Sequence, residues 1–255
     1  MMAQPGVLVI SHGSREPGWV SLVDEAVGKL AARMDIPVVA SYLELVEGRL
    51  IQDGITALED QGVTDIVVIP LFVSSGSTHV DEIAYAIGAK AVPELETDLE
   101  PFRVRSAVHF GMPMDDHPDI AAMVWDKVSE LSVQPEKEVV LLVGHGSRHD
   151  GFRRRWEEGM SRLAGRVGAL SGTSVDYALL SPGNVREKAL HWKERGCEVI
   201  AAPLFLSEGY FTEVVIPDRI QGLACRYSGK TLLPHPLLSH WMESQAHLMI
   251  QSLKS

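Results

Sequence analysis

The stretch Val9-Ile10-Ser11-His12-Gly13-Ser14-Arg15 decides the fold, because the chain contains it twice. It returns 133 residues later as Val143-Gly144-His145-Gly146-Ser147-Arg148. A second segment, Pro70-Leu71-Phe72-Val73-Ser74, returns at the same offset as Pro203-Leu204-Phe205-Leu206-Ser207. Matches in one order at one offset indicate the duplication of a unit of about 130 residues, which is the size of a domain rather than of a solenoid repeat.

A polar, proline-containing segment at residues 132–137 is the predicted joint between the two copies. We therefore expect two domains, at residues 1–134 and 135–255. A shorter sequence match near the end of each copy pairs Pro113-x-x-x-His117 with Pro236-x-x-x-His240.

Each half of the chain alternates short apolar runs with helical patterns. Predicted strands lie at residues 6–10, 37–43, 65–73 and 103–108, and again at 139–143, 174–180 and 198–206. Predicted helices lie at residues 19–30, 50–58 and 81–89, after residue 118, and at 152–163. Continuous apolar strands that alternate with helices are typical of a parallel sheet covered on both faces. The expected fold class is α/β, with two similar doubly wound parallel-sheet halves.

Composition and charge exclude several classes of protein. The chain has 255 residues, a formal net charge of −11 and only two cysteines, Cys197 and Cys225. The acidic balance argues against nucleic acid as a partner, and two cysteines cannot form a disulfide scaffold or hold an iron–sulfur cluster. No apolar run approaches the length of a membrane span, and the first residues lack the basic start of a secretory signal. We expect a cytoplasmic protein that does not contact membranes.

Three candidate metal ligands follow three predicted strands of the first half. His12 follows the first strand, Glu44 the second and His79 the third. Ligands of open parallel sheets bind beyond the carboxyl ends of the strands, so the fold would bring these side chains together. Two imidazoles and one carboxylate suit a divalent ion such as Fe, Co, Ni or Zn. Taken singly, each could instead be an ordinary loop residue that forms hydrogen bonds.

The second half acts as an internal control for this site. It retains His145 in place of His12, but the sequence spacing aligns Leu179 with Glu44 and Thr212 with His79. Architecture alone would preserve all three equally, so we expect one active site, in the first half, beside a degenerate second half. His145 itself could persist because His-Gly-Ser forms a useful turn. Four further histidines are interpreted as structural: His109, His117, His235 and His240.

Three motifs, taken in order, resemble those of the sirohydrochlorin chelatases. They are Val9-Ile10-Ser11-His12-Gly13-Ser14-Arg15, Tyr42-Leu43-Glu44-Leu45, and Val68-Ile69-Pro70-Leu71-Phe72-Val73 followed by His79. The resemblance is to the ATP-independent class II enzymes, including the two-domain cobalto- or ferrochelatase form, and it covers nearly the whole chain. It implies two chelatase-like α/β halves with a tetrapyrrole in an interdomain cleft. The implied activity is that of a lyase that inserts Co²⁺ or Fe²⁺ into sirohydrochlorin, for siroheme or cobalamin biosynthesis.

By the same resemblance, His12, Glu44 and His79 serve as metal ligands and catalytic residues, although the division of roles among them stays open. The chain departs from the family in one respect, since the third histidine is commonly one residue nearer to the Pro-Leu-Phe segment. In the second half Glu213 is an alternative carboxylate. A carrier that binds metal or tetrapyrrole without turnover, and an α/β module without a metal, are the competing interpretations.

The resemblance also implies the partners of the site. The divalent metal, Co²⁺, Fe²⁺ or Ni²⁺, is a substrate, and neither a nucleotide nor an iron–sulfur cluster is expected. A tetrapyrrole with many carboxylates requires local basic groups despite the acidic total, because charges act mainly within about 8–10 Å. The candidate substrate-binding residues are Ser14, Arg15, Ser75, Gly76, His145 and Arg148, with the run Arg153-Arg154-Arg155 as a further basic cluster. The protein is expected to be a monomer or a homodimer.

Overall fold

Two four-stranded parallel sheets of the same topology form the framework of the protein. The structure, a computed structural model, describes residues 3–253. The first sheet has the order β2-β1-β3-β4 and contains β1 (Pro5–Ser11), β2 (Val38–Tyr42), β3 (Asp65–Pro70) and β4 (Ala107–Phe110). The second has the order β6-β5-β7-β8 and contains β5 (Glu138–Gly146), β6 (Ser174–Ser181), β7 (Glu198–Pro203) and β8 (Arg226–Tyr227). The predicted α/β fold with two similar halves is confirmed.

Eight α-helices connect and cover these strands in the described part of the chain. They are α1 (Pro17–Ala31), α2 (Ile51–Asp60), α3 (Thr78–Ala86), α4 (Pro118–Val128), α5 (Asp150–Ser171), α6 (Val185–Glu194), α7 (Ile216–Ile220) and α8 (Pro236–Ser252). A π-helical turn, Phe211–Val215, precedes α7. Among residues 3–253, no helix combines the length and the apolar character that crossing a bilayer requires.

The central strands form the core of each sheet. In the first sheet, Leu8 and Ile10 of β1 and Val68 of β3 are fully buried and pack in one cluster with Ile55 of α2. Both faces of these strands are covered, which explains why they read as unbroken apolar runs rather than as alternating patterns.

The compact units of the protein do not follow the predicted boundaries at residues 1–134 and 135–255. Unit 1 comprises residues 3–72, 78–113 and 235–253, whereas unit 2 comprises residues 73–77 and 114–234. The reason lies in two helices. The first half of the sequence ends in α4, which packs against α5 and β7 in unit 2. The second half ends in α8, which packs against α1 and β3 in unit 1.

The starts of α4 and α8 show that the predicted match between Pro113-x-x-x-His117 and Pro236-x-x-x-His240 is wrong. The structural counterparts are His117-Pro118 and His235-Pro236, each a histidine N-cap followed by the first residue of the helix. In both, the histidine Nδ1 accepts a hydrogen bond of 3.2 Å from the backbone N–H two residues later. The structural interpretation of these two histidines is confirmed. A third, His109 of β4, has a partner on the neighbouring strand, since Asp65 of β3 lies 3.1 Å from its Nε2.

The predicted joint at residues 132–137 is a folded part of unit 2 rather than a linker between units. The buried Glu138 accepts hydrogen bonds from the Ser132 hydroxyl at 2.6 Å and from the N–H groups of Val133 and Gln134 at 2.8 and 3.0 Å. Arg226 donates a further bond of 2.6 Å. Burial alone would raise the pKa of Glu138, but these donors outweigh it and lower the pKa to about 2.

Candidate metal centre

The loop after β1 and the loop after β2 meet at Gly13. The Leu43 N–H donates to the Ser11 carbonyl at 2.9 Å, and the Glu44 N–H donates to the His12 carbonyl at 3.1 Å. Gly13 has a φ of 99°, and a Cβ at this position would collide with the carbonyl oxygen of Glu44. Glycine is therefore required for the close approach that places His12 beside Glu44.

The end of β2, shortly before Glu44, is anchored by a polar cluster around the buried Tyr42. The fully buried Tyr42 donates its hydroxyl proton to Asp24 at 2.8 Å, and Arg49 binds both carboxylate oxygens of Asp24 at 2.6 and 2.8 Å. The hydrogen bonds from Arg49 lower the pKa of Asp24 despite its partial burial. This cluster fixes the strand end from which the Glu44 side chain extends.

Nε2 of His12 and Oε1 of Glu44 face each other. Nδ1 of His12 lies 3.1 Å from the Gly13 carbonyl oxygen, which can only accept, so Nδ1 carries the proton. In a neutral imidazole the lone pair is then on Nε2, and this atom lies 3.6 Å from Oε1 of Glu44. A tetrahedral ion with bonds of about 2.0–2.1 Å holds its ligand atoms roughly 3.4 Å apart, so this separation is close to that of two ligands of one metal.

His79 completes the group from the first turn of α3. Its ring centroid lies 4.8 Å from that of His12, with the planes at 72°, and 6.4 Å from that of Phe72. The side chains of His12, Glu44 and His79 are 39%, 54% and 40% exposed, so an ion can reach all three. Within residues 3–253, no group of three His, Cys, Asp or Glu side chains is arranged so that it could hold a metal ion as it stands. His12 lies beside Glu44 and beside His79, so the predicted ligands are linked through His12 and do not form a ready coordination group.

Sequence analysis missed a fourth side chain of this group, Glu82. Its Oε1 lies 2.5 Å from Nδ1 of His79, and its Oε2 accepts a hydrogen bond of 3.0 Å from the Thr97 hydroxyl. The bond with His79 is the main reason why the pKa of Glu82 is lowered. The available signal was the spacing of three residues on one helix. It was missed because the predicted helix began at residue 81, whereas α3 begins at Thr78.

Two of the predicted substrate-binding residues, Ser75 and Gly76, belong to unit 2, unlike His12, Glu44 and His79. The N–H and hydroxyl of Ser75 both bond to Oδ1 of Asp115, at 2.9 and 3.1 Å, and Gly76 packs closely against Trp156. Burial raises the pKa of that aspartate. These contacts account for both residues by packing within unit 2.

The predicted basic residues divide into free and engaged side chains. Arg15 and Arg148 are exposed and form no ion pair with any residue that the structure describes. In the basic cluster, Arg153 pairs with Asp150 at 2.6 Å, and Arg155 donates to the Ser75 carbonyl at 3.1 Å. The free arginines are therefore the ones available to an anionic ligand.

Next to Arg15, Ser14 has a local role. Its hydroxyl accepts a hydrogen bond of 3.1 Å from the N–H of Glu16, just before α1 begins. This hydrogen bond orders the loop between β1 and α1, in which His12 lies.

The strand register of unit 2 corrects the predicted counterpart of Glu44. In β5 and β6, Gly146 pairs with Ser181. A Cβ on Gly146, whose φ is 79°, would collide with the Ser181 carbonyl, as one on Gly13 would with Glu44. Ser181 therefore occupies the place of Glu44, and Leu179 does not. The sequence spacing failed because Ser181 lies 35 residues after Gly146, whereas Glu44 lies 31 residues after Gly13. The second connection is therefore four residues longer than the first, and the pairing with Leu179 allows for only two of them.

The ring contacts of unit 2 likewise correct the predicted counterpart of His79. The rings of His145 and Phe211 meet edge to face, with centroids 4.9 Å apart, and Phe211 stacks on Phe205 at 5.7 Å. This repeats the His12–His79–Phe72 arrangement with a benzene ring in place of the second imidazole. Thr212, the predicted counterpart, is buried and its hydroxyl bonds to Gly209.

Unit 2 thus offers one imidazole where unit 1 offers two imidazoles and a carboxylate. Nδ1 of His145 lies 3.0 Å from the Gly146 carbonyl, which repeats the His12 geometry. Glu213, the alternative carboxylate, is exposed and forms no ion pair with a described residue. The asymmetry expected from the sequence is present, with Ser181 and Phe211 as the replacing residues.

A sequence model of one protein family, CbiX, matches the chain twice, at residues 6–131 and at 139–247. Together these matches span most of the 255 residues. The chain belongs to the CbiX family. A double match is what duplication of a family unit produces, and it agrees with the repeated His-Gly-Ser-Arg motif.

Individual proteins similar to this CbiX-family chain carry consistent names. A sirohydrochlorin ferrochelatase of Priestia megaterium is 26% identical over 257 aligned residues, which cover 96% of this chain and 91% of the relative. A sirohydrochlorin cobaltochelatase of Methanococcoides burtonii is 27% identical over 133 residues, covering 51% of this chain and 99% of the relative. The structure of SirB from Bacillus subtilis with Fe³⁺ has a TM-score of 0.72 and 19% identity, with 96% of this chain and 95% of that chain covered. This last similarity shows a shared fold.

Proposed function

We propose that this protein is a sirohydrochlorin chelatase, a lyase that inserts a divalent metal ion into the tetrapyrrole at the His12–Glu44–His79 group. The activity follows from membership of the CbiX family and from the ferrochelatase and cobaltochelatase names of its relatives. The observation that carries the location is the contrast between units. In unit 1, His12 lies beside the carboxylate of Glu44 and the imidazole of His79, whereas the counterparts in unit 2 are His145, Ser181 and Phe211.

The reaction needs groups that hold a cation and groups that accept protons. A hydrated divalent ion loses water and enters the ring, and the ring releases two pyrrole protons, so that charge and atoms balance. Imidazole and carboxylate serve both needs, because a neutral imidazole can bind the ion or take a proton near neutral pH.

We propose the following division of these tasks among the three side chains. Nε2 of His12 has its lone pair free, because Nδ1 is held by the Gly13 carbonyl. Nδ1 of His79 is held by Glu82, so Nε2 is again the nitrogen left for the ion. Glu44 is the most exposed of the three, at 54%, and its carboxylate is placed to receive a proton from the ring or to share the ion with His12.

The metal is Co²⁺ or Fe²⁺ in this proposal, with Ni²⁺ as a further candidate, and the reaction uses no nucleotide. Imidazole and carboxylate ligands accept all three ions, so the donor set selects the class of metal and not its identity. Arg15, in the same unit as His12, Glu44 and His79, is exposed and forms no ion pair with a described residue, and it is proposed to meet a carboxylate of the tetrapyrrole.

The experiment that tests the proposal follows the absorption spectrum of sirohydrochlorin with Fe²⁺ or Co²⁺ under anaerobic conditions, with and without the protein. We expect many product molecules per protein, at a rate above the spontaneous one and without added nucleotide. Product limited to one molecule per protein would identify a carrier instead. A rate equal to the spontaneous one would contradict the proposal.

A further inference from the structure

Glu82 lies just outside the three side chains assigned to the metal, and its contacts suit a specific task. It contacts His79 through one carboxylate oxygen at 2.5 Å and Thr97 through the other at 3.0 Å. We propose that Glu82 is a positioning residue, an inference that rests on the proposed function. Glu82 holds His79 in the tautomer with the proton on Nδ1, so that Nε2 presents its lone pair to the incoming metal ion.

The direction of the hydrogen bonds follows from the chemistry of the partners. The Thr97 hydroxyl donates to Oε2 of Glu82, so Oε2 acts as an acceptor and Oε1 is the oxygen that faces Nδ1 of His79. An ionised carboxylate has no proton to donate, so the proton between its Oε1 and Nδ1 of His79 belongs to the imidazole. A neutral imidazole carries one proton, and with that proton on Nδ1 the only lone pair in the ring plane is on Nε2.

The two histidines of the group reach the same tautomer by different means. His12 is held by a backbone carbonyl of its own loop, at 3.1 Å, and His79 by the side chain of Glu82 one helical turn away. Glu82 is only 23% exposed, and its second oxygen is held by Thr97, so it offers a fixed rather than a mobile acceptor. Such carboxylate–histidine pairs orient the ring and raise its basicity towards a metal.

Unit 2 lacks both members of this pair. Phe211 occupies the place of His79, and the residue three positions later is Val214, which is 42% exposed. The carboxylate is therefore absent from the unit in which there is no second imidazole to orient.

The first test reads the tautomer directly in the metal-free protein. With ¹⁵N-labelled histidine at a pH where the imidazoles are neutral, two-bond ¹H–¹⁵N spectra report which ring nitrogen of His79 is protonated. We expect the proton on Nδ1 in the unaltered protein and a shift towards Nε2 in Glu82→Ala. Wild-type His79 with its proton on Nε2, or the same tautomer in Glu82→Ala, would overturn the proposal.

The second test measures Co²⁺ affinity by titration calorimetry. Loss of a carboxylate behind a metal-binding histidine typically weakens affinity about 10–100-fold, and we expect this for Glu82→Ala. Thr97→Val removes only the hydrogen bond to Oε2 of Glu82, and we expect a smaller loss of Co²⁺ affinity for it. This variant also tests the proposal if Glu82→Ala does not fold. Unchanged affinity in both variants would overturn the proposal.

The matched control is Asp81→Asn, on the same helix. Asp81 accepts hydrogen bonds from Lys90 and from the Glu94 N–H and does not contact His79. We expect Asp81→Asn to lower thermal stability while the His79 tautomer and the Co²⁺ affinity stay unchanged. If it reproduces the effects of Glu82→Ala, Glu82 only stabilises α3 and the proposal is wrong. Absence of Co²⁺ binding by the unaltered protein, with the tautomer as expected, would instead overturn the proposed function.

Discussion

The ends of β1 and β5 are built from nearly the same sequence, yet they carry different chemistry. Both have a histidine whose Nδ1 faces the next carbonyl, at 3.1 Å for His12 and 3.0 Å for His145. Both also have a glycine that allows the neighbouring loop to approach closely. The partners differ: His12 meets Glu44 and an imidazole ring, and His145 meets a benzene ring, that of Phe211.

This comparison separates architecture from function within one chain. The shared histidine and glycine fit the strand-end turn, since both units keep them. Glu44, His79 and Glu82 are needed for no such turn, because unit 2 has the same sheet without their counterparts. The side chains present in only one unit are therefore the ones that distinguish the site of the proposed chemistry, in which His12 also takes part.

The largest expected effect is a difference between the two histidines in turnover. His12→Ala should lower the rate of metal insertion by on the order of 100-fold or more, because a metal-binding or proton-accepting group is lost. His145→Ala should change it by less than roughly threefold, since a single imidazole without a second donor is a poor metal ligand set. Steady-state rates with Co²⁺ and sirohydrochlorin provide the measurement. Equal losses in both variants would show that the units share the reaction.

A large effect on stability is expected for Glu138, which stands in unit 2 where unit 1 has Pro5. Its pKa is about 2 in the folded protein against an ordinary value of 4.5, so the ionised form stabilises the fold above pH 4.5. This contribution, on the order of 3 kcal/mol, is lost as the pH falls from 4.5 towards 2. Denaturant unfolding between pH 7 and 2.5 should show the loss, and Glu138→Gln should remove most of this pH dependence. The same acid profile in Glu138→Gln and the unaltered protein would contradict it.

The two glycines provide a matched pair with a smaller effect. Gly13→Ala and Gly146→Ala each place a Cβ against a carbonyl oxygen at a positive φ, so each should cost about 1–3 kcal/mol of stability. Only Gly13→Ala should also weaken Co²⁺ binding, because it displaces the loop of Glu44. Thermal unfolding and Co²⁺ titration of both variants measure the two effects. Equal weakening of Co²⁺ binding in both variants would contradict the prediction.

The smallest expected effect is a gain rather than a loss. The double variant Ser181→Glu, Phe211→His rebuilds the three side chains of unit 1 around His145. We expect a second, weak Co²⁺ site, roughly 10–100-fold weaker than the first because no counterpart of Glu82 orients the new histidine. Titration calorimetry would show the added site. If the number of Co²⁺ ions bound per chain stays that of the parent protein, the similar backbones of the two strand ends are not sufficient to form a metal site.

Most of the fold could be predicted from the sequence because the signals were local and repeated. Buried parallel strands leave continuous apolar runs, and α1 shows its apolar positions at helical spacing, with Val23, Val27 and Leu30 buried. The assignment of α4 to unit 2 and of α8 to unit 1 was not predictable, because the apolar face of a helix does not show which sheet it covers. The pairing of Pro113 with Pro236 was wrong because the two helices align on His117-Pro118 and His235-Pro236.

The site was predictable in part. Three strand ends in one parallel sheet were enough to group His12, Glu44 and His79, but counting along the chain could not align the second unit. Ser181 and Phe211 became visible only through strand register and ring contacts, because insertions in loops shift the count without shifting the sheet. Glu82 was missed because the start of a helix is among the least certain features of a sequence.

The most direct test of a single metal centre in unit 1 is a Co²⁺ titration of the unaltered protein, His12→Ala and His145→Ala, followed by the visible absorption of bound Co²⁺. The account predicts one Co²⁺ per chain in the unaltered protein. It predicts that His12→Ala loses this spectrum or binds at least about 10-fold more weakly, and that His145→Ala retains both spectrum and affinity. Retained binding in His12→Ala together with lost binding in His145→Ala would contradict it.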